Sequence, residues 1–286
     1  MTAMRIEGAE SARAAERGFV RLLGGYTVGL AGGTLLVNER IPVPRFNVVQ
    51  TVRVARARQA QFFEAALDHY FQRALRPTFR VPVPTPGHVD DALRQLGFRP
   101  REAPEIWLIA GPDRPVPRPS PRVRRVLPEE LEDLVALWAG ERERIELRRQ
   151  LEVGMHHPNP GEEEAPFAGM AEDGEVASAT IAYQRGPCLD VEAVTTRREY
   201  RGRGAATALV RGILTDPMAL RSRFVALRSA EPRLAERLAP LGFQIAEENV
   251  IYDLPADAKL NVPMAPPPGV PLWRPRPRGG AGLGPQ

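Results

Sequence analysis

Between residues 122 and 255 the apolar positions change period several times, and each change predicts an element. Arg122 to Val126 reads as a short strand. Pro128 then sits where the first turn of a helix tolerates proline, and Glu129 and Glu130 favour the positive end of that helix. Leu131, Leu134, Val135 and Trp138 follow at helical spacing. Phe167 to Ala171 and Val176 to Gln184, joined through Glu172-Asp173-Gly174, read as a hairpin, and Cys188 to Thr196 as a further strand. A glycine-bearing loop at 201–204 leads into a helix over Ala205 to Leu214. Phe224 to Arg228 is the next strand, Pro232 to Leu241 a helix closed by Gly242, and Val250 to Leu254 the last strand. Strands and helices alternating in this way predict an α/β (α+β) fold, with a mixed, mostly antiparallel sheet and helices on its faces.

The first part of the chain repeats this order. A shift of 145 residues lays Val49, Thr51, Arg53, Arg56 and Arg58 on Val194, Thr196, Arg198, Arg201 and Arg203. The same shift superposes Leu75-Arg76 on Leu220-Arg221, Phe79 on Phe224, Leu96-Gly97-Phe98 on Leu241-Gly242-Phe243, and Ile106-Trp107 on Ile251-Tyr252. A repeat of this length predicts duplicated domains and not a solenoid. Proline alternates with other residues around 113–121, which reads as a linker, and 256–286 is rich in Pro and Gly and reads as a disordered tail. The expected organisation is a first, abbreviated domain over 1–112, the linker, a second domain over 122–255, and the tail.

Composition narrows the class. The chain has 286 residues, 43% hydrophobic and 26% charged, which suits a globular protein of one or two domains with ample core. No apolar run approaches the ~18 residues needed to cross a membrane, and Met1 to Ala14 carries Glu7 and Glu10 in place of an apolar signal core. Cys188 is the single cysteine, so no internal disulfide forms, and a cytoplasmic location is expected. The formal charge is +4, and of 39 basic residues only Lys259 is lysine. With 6% aromatics and no helix-turn-helix or zinc-finger spacing, that excess argues against nucleic-acid binding.

The chemistry concentrates in Arg201-Gly202-Arg203-Gly204-Ala205-Ala206, which follows a strand and opens a helix. The first turn of a helix leaves backbone N–H groups unpaired at the positive end of its dipole, a seat for a pyrophosphate. The glycines let the backbone come close, and the small Ala205 and Ala206 keep the approach open. Strand, then Arg-x-x-Gly-x-Ala, then helix resembles the acetyl-CoA loop of the GNAT superfamily of N-acetyltransferases. The run Thr196-Arg197-Arg198-Glu199-Tyr200-Arg201-Gly202-Arg203-Gly204 is similar to the usual string there, except that Arg198 stands where proline is common. Arg237 to Phe243 resembles the family's late helix ending in Leu-Gly-Phe, and the resemblance spans 122–254. It implies a tandem GNAT arrangement of two GNAT-like domains with a degenerate N-terminal copy. There Arg56-Ala57-Arg58-Gln59-Ala60-Gln61 replaces the loop, both glycines are missing, and Gln59 and Gln61 should fill the phosphate seat. That copy is expected to buttress the second or to line the acceptor cleft.

The resemblance further implies acetyl-CoA as co-substrate, held by Val194, Thr195 and Thr196 on the strand and by Arg201, Gly202, Arg203, Gly204, Ala205, Ala206 and Thr207 on the loop and helix. An amine, on a small molecule or a protein, then attacks the thioester directly in a ternary complex. Glu192 is the candidate base, because alternation puts it on one strand face with Val194 and Thr196; pairing with an arginine is its other reading. Asp190, on the same face, is the substitute. The tyrosine that many relatives place five residues before the phenylalanine of Leu-Gly-Phe, as acid to the leaving thiolate, is Leu238 here. His156 and His157 are candidates for the acceptor entrance with no partner at metal-ligand spacing, and Glu162-Glu163-Glu164 for attracting a cationic amine or as a solvated loop. A protein that holds acyl-CoA or a partner without catalysis is the competing reading, and a homodimer is an open alternative.

Overall fold

The computed structural model describes residues 3–127, 130–138, 147–149, 151–152, 162–170 and 174–255. Pro128, Glu129, His156, His157, Glu172, Asp173 and the 256–286 segment, which carried sequence expectations, lie outside these residues. The first half supplies α1 (Ala3–Leu22), the strands β1 (Tyr26–Leu30), β2 (Gly33–Val37) and β3 (Val48–Gln50), α2 (Gln59–Phe71), β4 (Thr78–Pro82), α3 (Gly87–Gln95), β5 (Arg99–Pro100) and β6 (Glu105–Ala110). The second supplies β7 (Val123–Arg125), α4 (Leu131–Trp138), β8 (Glu162–Met170), β9 (Val176–Arg185), β10 (Cys188–Thr196), α5 (Ala205–Ile213), α6 (Pro217–Arg221), β11 (Phe224–Ser229), α7 (Pro232–Leu238) and β12 (Phe243–Asp253).

These strands form one sheet in the order β1-β2-β3-β4-β12-β6-β11-β10-β9-β8-β7, with β5 paired to β12. Among the described pairs only β3–β4 and β10–β11 run parallel. The mixed, mostly antiparallel character is as the sequence predicts, but the sheet is shared between the halves. β6 lies between β12 and β11, and β12 reaches across to pair β4, Tyr252 opposite Phe79. The last strands of the two halves are thus exchanged, and backbone hydrogen bonds of one half complete the sheet of the other. The repeat is visible in the element starts. Gln59 and Ala205 open α2 and α5, 146 residues apart; Thr78 and Phe224 open β4 and β11, also 146; Gly87 and Pro232 open α3 and α7, 145.

α1 binds the arrangement together from one face. Its 20 residues span about 30 Å at 1.5 Å per residue, and it touches β1 and β2 as well as β9, β10 and β11. Small residues make the close approach possible: a Cβ at Gly8 would lie 2.6 Å from Ile109 Cγ2, and one at Gly18 2.6 Å from the Tyr183 hydroxyl. Ala9, Ala12, Ala15, Phe19 and Leu23 pack there with Leu131 and Val135 of α4 and with Tyr183, Phe224 and Ala226 of the sheet. Separate apolar clusters join α5, α6 and α7 to β8–β11, and α2 and α3 to β2–β4. The linker is pinned: the Arg114 guanidinium donates to the carbonyls of Gly111, Ala219, Ser222 and Arg223, which include the end of α6. Among the described residues no helix is long and apolar enough to cross a membrane.

Candidate active site

A cleft of about 830 Å³ opens where β10 and β11 part. The two strands pair from Cys188–Phe224 to Val191–Leu227 and then diverge. β10 keeps β9 as a partner but shifts register between Glu192 and Thr195, so its remaining edge faces the cleft. Below that edge the chain turns through Gly202 (φ 77°) and Gly204 (φ 82°) into α5. Both glycines occupy the left-handed region, which a side chain disfavours, and no side chain caps α5. The first intrahelical bond that closes on Gly204 comes from Ala208 N–H at 2.9 Å, which leaves the N–H groups of Ala205, Ala206 and Thr207 without helical acceptors.

Nine of the ten residues expected to hold the co-substrate line this cleft: Val194, Thr195, Thr196, Arg201, Gly202, Gly204, Ala205, Ala206 and Thr207. Arg203 does not; its guanidinium lies over the Tyr200 ring, 5.9 Å from the centroid. Arg233 and Arg237 of α7, which sequence reasoning passed over, add cations to the same wall. The corresponding turn of the first half differs. Arg58 precedes α2 at φ −111°, without a left-handed residue, and neither Gln59 nor Gln61 reaches the cleft.

The opposite wall belongs to the first half, through Pro44, Arg45, Val48, Thr78, Arg80, Arg101, Ala103 and Glu105. Its floor is an ion-pair network that crosses between the halves. Glu192 is 2% exposed and accepts from Arg228 and from Arg45. Glu16 of α1 accepts from Arg228 and from Arg80 (2.8 Å), and Gln50 also donates to it. Arg80 pairs with Glu105 at 2.7 Å. Arg80 and Arg228 both stack on Trp107, 5.5 and 5.4 Å from its ring centroid. Three carboxylates face three guanidiniums, so the charges of the floor balance.

This network sets the protonation of the expected base, Glu192. Burial pushes the Glu192 carboxyl up, but Arg228 and Arg45 outweigh it and hold it at about 2. A carboxylate so stabilised is a poor proton acceptor. Asp190, the substitute, is 1% exposed and does not line the cleft, and burial with the neighbouring Glu192 charge pushes its carboxyl up. Leu238 is wholly buried among Leu234, Leu241 and the β11 side chains, outside the cleft. A tyrosine there would not face the reacting atoms. We expect Leu238→Tyr to overpack the core and cost about 1–3 kcal/mol in chemical denaturation, with no gain in turnover.

The acidic run also departs from both of its readings, because it forms the first three residues of β8 and is no loop. Glu162 pairs with Arg185, and Glu163 with Arg125 and Arg221. Glu164 is 7% exposed with no hydrogen-bond partner for either oxygen, and burial pushes its carboxyl up to about 8. In an unfolded chain it titrates near 4.5. Its contribution to stability is therefore full below that value and lost as pH rises through about 8. Glu164→Gln should flatten this slope and stabilise the protein at pH 9 by roughly 3 kcal/mol against wild type; equal pH profiles for the two proteins would contradict the burial of an unpaired carboxyl.

A helix N-terminus at the point where two parallel strands part, with cations on one wall, is an arrangement able to hold a phosphate-bearing ligand. Residues 128–237 match the model of the acetyltransferase (GNAT) family. No curated protein matches the chain. Among solved structures, the chain is similar to a GCN5-related N-acetyltransferase from Kribbella flavida, with TM-score 0.59 and 16% identity over 86% of this chain and 95% of that one. A functionally unknown conserved protein from Staphylococcus epidermidis gives TM-score 0.60 at 9% identity over 80% and 94%. A GCN5-related N-acetyltransferase from Sphaerobacter thermophilus gives 0.53 at 17% over 78% and 76%. At these identities the likeness establishes the fold.

Proposed function

We propose that the chain is an acetyl-CoA-dependent N-acetyltransferase that passes an acetyl group to a primary amine by direct attack in a ternary complex. The observation that carries the reading is the α5 N-terminus, with Gly202 and Gly204 in left-handed conformation, opening onto the cleft at the β10–β11 divergence. The N–H groups of Ala205, Ala206 and Thr207 would hold the pyrophosphate, with Arg201, Arg233 and Arg237 near enough on the cleft wall to meet its charge. The cleft-facing edge of β10 at Val194 to Thr196 would take the amides of the pantetheine arm. Bound acetyl-CoA supplies an activated thioester. Glu192, ionised and fixed by two arginines, orients the amine and does not take its proton, which passes to water in the cleft.

A second reading, a protein that binds acyl-CoA without turning it over, is favoured by one observation: the position expected for the acid is the buried Leu238. Release of free thiol from acetyl-CoA in the presence of a panel of primary amines separates the two. Amine-dependent release supports transfer. Tight binding with no release for any amine supports the second reading.

A further inference from the structure

The acceptor wall presents one ion pair whose partners differ in mobility. Glu192 is 1% exposed at its side chain and is anchored from behind by Arg228, whose side chain is 11% exposed. Arg45 covers it from the cleft side with 40% of its own side chain exposed. The backbone under Arg45 is a single 3-10 turn, Pro44–Phe46, fixed because Phe46 is buried against Phe19, ring centroids 6.3 Å apart. Asn47 reinforces it by donating to the carbonyls of Asn38 and Val43. A rigid base thus carries a long, half-exposed guanidinium whose ion-pair partner among the described residues, Glu192, is also held by another arginine. Glu192 keeps its Arg228 contact if Arg45 swings away.

From this geometry we infer that Arg45 and Glu192 form a clamp for a zwitterionic acceptor, an amino acid or a molecule with a carboxylate close to its amine. The inference rests on the transferase reading for what happens to the amine, but not for the binding itself. An ammonium and a carboxylate on neighbouring carbons are the mirror of a carboxylate beside a guanidinium. Such a ligand inserts into the pair, its ammonium on Glu192 and its carboxylate on the planar fork of Arg45, so both ions exchange one partner for another and no charge is left buried and alone. A simple amine has no such exchange: it would displace Arg45 and leave that guanidinium without a counter-ion. Beside Thr78 and Arg101 this wall also carries Pro44, Val48, Ala103 and Ile251, which offer apolar contacts to an apolar side chain on the acceptor.

The test is a calorimetric titration of the full chain, with and without acetyl-CoA, using leucine, leucinamide and isopentylamine. Leucine should bind at least tenfold more tightly than either analogue lacking the carboxylate. Arg45→Met should abolish that preference, and Arg45→Lys should restore part of it, while acetyl-CoA affinity stays at the wild-type value in both. Equal affinities for the three ligands, no binding of any, or a preference that survives in Arg45→Met overturns the clamp. Should leucine bind with the expected Arg45 dependence while acetyl-CoA does not bind, the clamp stands and the transferase reading falls.

Discussion

Replacing Arg228 by methionine is expected to cost about 3–5 kcal/mol of stability, the scale for breaking a buried pair by removing one partner. The methionine stem fills much of the volume, so the loss is electrostatic. Arg228 donates to both Glu16 and Glu192, is 11% exposed at its side chain, and lies over Trp107. Without it Glu16 keeps Arg80 and Gln50, and Glu192 keeps the half-exposed Arg45. Urea denaturation should show a lower midpoint at unchanged slope. The pH dependence has a definite sign. In wild type the Glu192 carboxyl is held at about 2, below its ordinary 4.5, so its contribution is present above 4.5 and lost as pH falls toward 2. The gap between wild type and Arg228→Met should therefore narrow over that acid window. A difference under about 1 kcal/mol at pH 7 would mean that the network is solvated and does not join the halves.

Gly204→Glu should weaken acetyl-CoA binding by a hundredfold or more, about 2.7 kcal/mol. Two effects add. Gly204 sits at φ 82°, so any side chain strains the turn, and a carboxylate at the mouth of α5 competes with phosphate for the same N–H groups and repels it. Gly204→Ala separates them. A Cβ there meets no atom within 4 Å, so alanine brings strain of about 1 kcal/mol without a clash, and binding should fall less than tenfold. Equal losses for the two variants would make the effect conformational, and retention of affinity in Gly204→Glu would place the ligand elsewhere.

The parts of this site that could be read from sequence are those carried by a few consecutive residues. The loop 201–207 announces its conformation through two glycines and its position between a strand and a helix, and the structure puts it on the cleft. The balanced floor could not be read in the same way. Arg45 and Glu192 are 147 residues apart, and Glu16 and Arg228 are 212. An arginine in an arginine-rich chain gives no sign of which carboxylate it will meet.

Strand exchange was hidden for a related reason, since Ile106 to Ala110 would bury as well beside either half. Alternation along β10 also says nothing of depth: Asp190 lies within the regular part of the strand, before the register shift that follows Glu192, and is 1% exposed.

The central claim is that one acyl-CoA site lies at the α5 N-terminus, with no equivalent at α2. Calorimetric titration of the intact chain with acetyl-CoA tests it most directly. The structure predicts one site per chain with micromolar affinity, lost in Gly204→Glu and untouched when Gln59 is changed to alanine. Two sites per chain, or no binding at all, would contradict it.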